Sequence, residues 1–419
     1  MTYDVMAIRQ QFAALDTTDE QGQMPLFLDG PGGSQIPKSV LDALIAYLSK
    51  YNSNLGGYAD AGQRTIAINQ QARQAAATWL NCAAKNMIFG LNSTSLMFQI
   101  SRVVGKNWQA GDNIVLSSID HFSNVSSWQS IAEERGVEIR KLPLNQDGSA
   151  LDFNNLSALI DSKTKLVAVS LASNVLGTKT PMQALIQHCQ SVGALLCIDA
   201  VHAAVHELID IHALQCDVLF ASSYKLGGAH LGMAYLSDRV ILLSPYKVEP
   251  ATNLNPNAWE QGTQSFEAQA ALIALVEYWA NLAQYHPDFD ASISNLRQRL
   301  QWGYQAVQQH EQQLMQHFLA EAKKRAYFKL YGLNCFEQRT PTFAFNVFKN
   351  QQMILPSLVS QWFGEKNVAL PSGNFYALDV VRHLDLLDTG FLRAGFLHYN
   401  TLAEVDQFFA YLDEYMAKC

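Results

Sequence analysis

The chain has 419 residues, 49% of them hydrophobic, and a formal net charge of −8. That composition describes a globular chain with ample core, and the length suggests two or three domains. A negative chain with no block of Lys and Arg interleaved with aromatics argues against nucleic acid or an anionic membrane as the main partner.

In chain order, Met87-Ile88-Phe89 predicts a short strand, followed by the apolar run Leu96 to Val104. Ile114 to Ser118 predicts a buried strand and Ser123 to Arg135 the helix after it. Val137 to Leu142, Leu166 to Ser170 and the run ending at Asp199 predict further strands, separated by helices over Phe153 to Asp161 and Met182 to Val192. Such short apolar runs between helical periods predict a mostly parallel sheet with helices on both faces. Ligands of these sheets sit beyond the carboxyl ends of the strands, where Ser118 to His121, Ser170 to Asn174 and Asp199 to His202 all fall. After Glu267 the pattern changes. Helices over Glu267 to Gln284, Ser292 to about Arg325 and Leu355 to Phe363, with strands over Thr342 to Phe348 and Phe391 to Phe396, predict a separate, smaller α/β domain.

The six cysteines, Cys82, Cys189, Cys197, Cys216, Cys335 and Cys419, include no CxxC, so neither a zinc site nor a disulfide framework is expected. His202 and His206 have the spacing of a helical metal pair, but no acidic residue completes the set, and no metal is expected. Met1-Thr2-Tyr3-Asp4-Val5 lacks the basic-then-apolar order of a signal peptide. No run approaches the roughly eighteen apolar residues of a membrane span, and a cytoplasmic location is the expectation.

Asp199 at a strand end and Lys225 in Ala221-Ser222-Ser223-Tyr224-Lys225-Leu226-Gly227-Gly228 suggest a particular chemistry. A pyridoxal phosphate enzyme uses one lysine to hold the cofactor aldehyde as a Schiff base and one carboxylate to keep the ring nitrogen protonated. Its phosphate needs hydroxyls and amides, ideally at a helix N-terminus. Asn92-Ser93-Thr94 is placed for that, although the same residues alone make an ordinary N-cap. His121 is a candidate to stack on the ring, and Asn174 in Ser173 to Thr178 a candidate partner of the phenolic oxygen. Outside this company they read as a loop histidine and a turn asparagine.

With these residues the chain resembles the class V aminotransferase group of pyridoxal phosphate fold-type I enzymes, especially the cysteine desulfurase and selenocysteine lyase branch. The resemblance begins near Phe27 and reaches the C-terminal region. Phe27-Leu28-Asp29-Gly30-Pro31-Gly32-Gly33 resembles the opening loop beside the substrate, and Asp120-His121-Phe122-Ser123-Asn124 the segment with the stacking histidine. Asp199-Ala200-Val201-His202 resembles the aspartate motif, whose fourth position, often Gln, approaches the phenolic oxygen. The resemblance implies Lys225, Asp199 and His121 as catalytic residues, and a large domain with a seven-stranded sheet. It places Ser222 and Tyr224 with Ser93 and Thr94 on the phosphate, and assigns Gly262 and Thr263 to a phosphate contact given by the neighbouring subunit of a homodimer. Arg393, in Leu392-Arg393-Ala394-Gly395-Phe396, is implied as the grip on a substrate carboxylate, for which a guanidinium fork is suited. The expected division is a large domain of residues 20–285 and a small one formed by residues 1–19 and 286–419.

One departure stands out. In cysteine desulfurases a mobile loop carries a nucleophilic cysteine. The matching segment here, Leu370-Pro371-Ser372-Gly373-Asn374-Phe375-Tyr376-Ala377-Leu378, has Tyr376 at that place. A phenol with a pKa of about 10 does not replace a thiolate in persulfide formation. Cys335, in Tyr331 to Phe336, does not resemble that loop. Asn374 and Tyr376 join Arg393 as expected substrate contacts. The sequence leaves three readings open: a lyase, epimerase or aminotransferase acting on a small amino acid; sulfur or selenium release using an external thiol; and a non-catalytic cofactor carrier or scaffold.

Overall fold

The computed structural model describes residues 3–418; Met1, Thr2 and Cys419, the last of the six cysteines, lie outside them. The first strand, β1 (Leu26–Phe27), is a short segment outside the large sheet. The large sheet follows, with β2 (Met87–Gly90), β3 (Asn113–Ser117), β4 (Glu138–Leu142), β5 (Thr164–Ser170), β6 (Leu195–Asp199), β7 (Val218–Ser222) and β8 (Gly232–Leu236). Its order is β2-β8-β7-β6-β5-β3-β4, and all neighbours are parallel except β8, which runs antiparallel to β2 and β7. Strands β3 and β7 are buried at every position, as apolar runs covered on both faces must be. Two apolar clusters lie on opposite faces, one around Val115, Val167 and Leu219 and the other around Ile114, Leu166 and Phe220.

The helix over Ser123–Arg135 and that over Met182–Val192 coincide with the expected spans, each closed by a glycine in the left-handed region, Gly136 and Gly193. The helix expected over Phe153 to Asp161 is a single turn, Leu156–Leu159. Polar side chains take the backbone donors around it: Asp152 accepts from Asn154 N–H at 2.9 Å and Asp161 from Lys163 N–H at 2.8 Å, which favours turns over helix. The long helix begins at Leu296 rather than Ser292, because Asn295 caps it by accepting from Gln298 N–H at 3.0 Å. The helix from Phe266 ends at Asn281 and tightens into a 3₁₀ turn over Leu282–Tyr285.

The smaller sheet is antiparallel. It comprises β9 (Phe328–Tyr331), β10 (Thr342–Lys349), β11 (Gln352–Met353), β13 (Ser372–Gly373) and β14 (Phe391–Gly395), in the order β11-β10-β14-β13 with β9 also paired to β10. Its core stacks Phe318 of the helix Leu296–Lys323 on Phe343 at 3.9 Å, with Phe396, Phe408 and Phe409 around them. Strand β12 (Val368–Ala369) pairs in parallel with β1, so the opening segment is stitched to this part of the molecule. Just beyond, Gly30 N–H donates to Gly395 O at 3.1 Å and Gly395 N–H to Leu28 O at 2.6 Å, setting Asp29 beside β14.

Candidate active site

The carboxyl ends of β2, β3, β5, β6 and β7 open onto one cavity of about 170 Å³. Its lining includes Ser93, Thr94, His121, Asn174, Asp199, His202, Ser222, Tyr224 and Lys225. Nine side chains singled out in the sequence, spread over more than a hundred positions, thus meet in one place, as strand-end loops of an open α/β sheet do.

Lys225 lies in the 3₁₀ turn Ser223–Leu226 directly after β7. Its amine donates to Pro31 O and sits 5.0 Å from the centre of the Tyr224 ring. Burial, and then the neighbouring Arg393 cation, lower its pKa to about 7, so near neutral pH a large fraction is the nucleophilic free base. Asp199 ends β6 with only 6% exposure and accepts from Val201 N–H at 2.9 Å. Burial raises its pKa to about 7, and a cation beside it would restore the carboxylate. His121 is lowered to about 4, first by burial and then by Lys225 and Arg393, so its imidazole is neutral. Ser123 N–H donates to His121 Nδ1 at 3.2 Å, which places the ring proton on Nε2.

The polar end of the cavity is built for an anion. Asn92 caps the helix Ser93–Val104 by accepting from Ser95 N–H at 2.8 Å. This brings the helix N-terminus, with its unpaired amides and positive dipole end, against the hydroxyls of Ser93, Thr94, Ser222 and Tyr224. Ser93 Oγ and Ser222 Oγ are 2.7 Å apart.

Several buried polar atoms lack a partner: Asn174 Oδ1, His202 Nδ1 and Arg393 Nε. His202 is held by Nε2, which lies 3.0 Å from Thr340 Oγ1 and 3.2 Å from Thr342 Oγ1. Asn174 donates one amide N–H to Phe375 O at 3.0 Å, leaving the other. Unpaired buried groups are costly, and here they lie in or beside a cavity that also offers a Schiff-base lysine, a buried carboxylate and an anion cradle. The residues fit pyridoxal phosphate.

Arg393, Asn374 and Tyr376 stand beside the cavity rather than in its lining. Arg393 is 4% exposed on β14, donates Nη1 to Asn174 O at 3.1 Å and Nη2 to Asp29 Oδ1, and lies 4.0 Å from the Phe375 ring centre. Tyr376 is 67% exposed and stacks on His121. Asn374 uses Oδ1 to accept from Tyr376 N–H at 2.9 Å, stabilising a turn in which Phe375 and Tyr376 both take positive φ, 51° and 61°. Gly262 and Thr263 are exposed and stand apart from the cavity; Thr263 lines a separate depression with His230 and Gln99.

Sequence reasoning singled out neither Asp29 nor Asp120 for a role. Asp120 is a buried carboxylate that accepts from Asn124 Nδ2 at 2.7 Å, Ser170 Oγ at 2.9 Å and Ser170 N–H at 3.1 Å, locking the His121 loop to the end of β5. Its position next to His121 was the available signal. His206, set aside for want of an acidic partner, has one: Glu311 of the helix Leu296–Lys323 approaches its Nδ1 to 2.9 Å. No cysteine among the described residues lines the cavity. Burial pushes Cys82 and Cys189 up to about 12 and raises Cys197 and Cys216, the opposite of an activated thiolate.

Comparisons agree with this architecture. A probable cysteine desulfurase of Streptomyces coelicolor is 29% identical over 96% of this chain and 95% of its own length. A cysteine desulfurase of Dickeya dadantii is 28% identical over 97% and 96%. Among solved structures, the apo cysteine desulfurase of Thermococcus onnurineus superposes with a TM-score of 0.86 at 21% identity, covering 99% of this chain and 98% of that one. The cysteine desulfurase CsdA of Escherichia coli gives 0.84 at 24% identity, covering 100% and 99%; at these identities the likeness is one of fold. The model of the class V aminotransferases matches residues 26–286 and 289–408. The chain belongs to the class V aminotransferase family of pyridoxal-phosphate-dependent enzymes, and within it is similar to the cysteine desulfurases.

Proposed function

We propose that the protein binds pyridoxal phosphate through Lys225 and acts at Cα or Cβ of a small amino acid, without performing ordinary cysteine desulfuration. The observation that carries this is the meeting of the Lys225 amine, its pKa lowered to about 7, with the buried Asp199 and neutral His121 in one cavity. When bound, the cofactor supplies an electron sink for charge developing at the substrate carbon. Asp199 would hold the ring nitrogen protonated, His121 would cover the ring face, and Lys225 Nζ would carry the Cα proton. Ser93, Thr94, Ser222 and Tyr224 would hold the phosphate; His202 and Asn174 have unfilled hydrogen-bonding capacity for the phenolic oxygen. Arg393 would receive the substrate carboxylate, with Asn374 and Tyr376 at the entrance. A homodimer, with Gly262 and Thr263 reaching the neighbouring subunit's phosphate, and a cytoplasmic location belong to the same proposal. So does the division into residues 20–285 and residues 1–19 with 286–419.

The missing loop thiol is what separates this reading from desulfuration. A second reading, sulfur or selenium release to an external thiol, is favoured by near full-length likeness to proteins named cysteine desulfurase; selenium leaves more readily and needs less help. A class V aminotransferase is a further alternative on the same residues. A non-catalytic carrier has no chemical need for Lys225, Asp199 and Arg393 together. The test is reduction of the cofactor-loaded protein with borohydride followed by peptide mapping. The reading expects the cofactor mass on the peptide containing Lys225; attachment to another lysine, or none, would overturn it.

A further inference from the structure

Asp29 and Arg393 form an ion pair beside the cavity, and its geometry bears on what the site admits. Arg393 is almost fully buried, whereas the Asp29 side chain keeps 34% exposure. A guanidinium grips a carboxylate at two points along either the Nε–Nη2 edge or the Nη1–Nη2 edge. Nη2 offers one N–H to each edge, and Asp29 Oδ1 takes one of the two. Phe375 covers one face of the guanidinium, Asn174 O takes Nη1, and Nε is buried without a partner. An incoming carboxylate therefore meets a guanidinium whose charge is already paired and whose Nη2 it must share with Asp29, and the exposure of Asp29 leaves it room to turn towards solvent.

A second observation is independent of the pair. A side chain at position 32 would overlap Asp29 Oδ2 and Cγ, although the backbone of Gly32 is not in the left-handed region. The glycine supplies space, not conformational freedom, and that space holds the Asp29 carboxylate. Backbone pairing of Gly30 and Leu28 with Gly395 fixes Asp29 next to the strand that carries Arg393. The opening loop also engages Lys225 through Pro31 O. Both residues that would meet a substrate are thus held by the loop before it arrives.

From this geometry we infer that Asp29 is a specificity-determining residue: its carboxylate competes with the substrate's for Arg393 and so weakens selection for carboxylate-bearing amines. The inference rests on the cofactor reading above. Aminooxyacetate and methoxyamine both capture the cofactor aldehyde, and only the first carries a carboxylate. The ratio of their apparent affinities, read from the visible absorbance of the cofactor-loaded protein, therefore reports carboxylate selection alone. Asp29→Asn should raise that ratio about tenfold, the effect of freeing a buried cation from one competing ion pair. Gly32→Ala, which displaces the Asp29 side chain without altering its charge, should raise it in the same direction. Arg393→Gln should bring the ratio close to that of simple hydroxylamines free in solution, with or without Asp29. A ratio unchanged or lowered in both Asp29→Asn and Gly32→Ala would overturn the inference and make Asp29 a support for Arg393. A wild-type protein with no visible cofactor band would instead overturn the cofactor reading, and this inference with it.

Discussion

Tyr376 stacks on His121, ring centroids 5.0 Å apart and planes inclined by 25°. Phe122 N–H donates to Tyr376 O at 2.8 Å, so the loop is tied to the His121 segment by backbone as well as by ring contact. In the proposed reading, where Tyr376 stands in for the loop nucleophile of a desulfurase, the residue serves as an aromatic prop for the histidine. Tyr376→Phe keeps the ring and loses only the hydroxyl, and should leave the amino-acid response of the cofactor-loaded protein largely intact. Tyr376→Ala removes the stack and should weaken that response. A loss of about a hundredfold or more in Tyr376→Phe, the size of a missing acid–base group, would give the hydroxyl a proton-transfer role.

Lys225 should control both the spectrum and its pH dependence. Lys225→Ala should abolish the visible absorbance of the reconstituted protein; an unchanged band would contradict the assignment. The free amine is the species that attacks the cofactor aldehyde, and burial with Arg393 nearby brings its pKa to about 7. A base is unprotonated above its pKa, so the rate of cofactor uptake should rise from pH 6 to 8 and then level off. Continued steep increase towards pH 10 would mean an ordinary lysine, whose pKa is about 10.4.

Arg393→Ala should raise the concentration of amino acid needed to perturb the cofactor spectrum by about ten- to a hundredfold, the range of a lost charge-assisted hydrogen bond. The change also leaves Asp29 without its partner, adding repulsion of the substrate carboxylate. No change for any responding amino acid would remove Arg393 from the substrate site.

The small-domain core makes a separate, structural prediction. Phe318 is fully buried and stacks on Phe343 and Phe408. Phe318→Ala should destabilise the protein by about 3–5 kcal/mol in denaturant unfolding, as large-to-small core changes do. A cost below about 1 kcal/mol would mean that the site collapses around the cavity.

Strands β3, β5 and β6 were legible because they are continuous apolar runs ending in polar residues, and those endings led to His121, Asn174 and Asp199. Strands β7 and β8 stand outside that alternating rhythm, although β7 carries Ser222 and leads to Lys225; a short 3₁₀ turn followed by Gly227 and Gly228, rather than a long helix, connects them. The helices over Lys38–Lys50 and Asp60–Leu80 also lie outside the sequence-based expectations. In the second of these, buried alanines rather than an apolar stripe make the contacts. Contacts across long sequence separations were out of reach: Asp29 meets Arg393 364 positions away, and Glu311 meets His206 105 positions away. Local pattern encodes which face an element buries, whereas such pairs exist only once the whole chain has folded.

The central claim is a complete lysine–aspartate cofactor site working without a loop thiol. The most direct test is alanine formation from L-cysteine by the purified, cofactor-loaded protein with a thiol reductant present. The account predicts a visible cofactor band and no alanine at enzymatic rates, with other small amino acids perturbing the band. Alanine formed at enzymatic rates would contradict it, showing that sulfur removal proceeds with Tyr376 in the nucleophile's place.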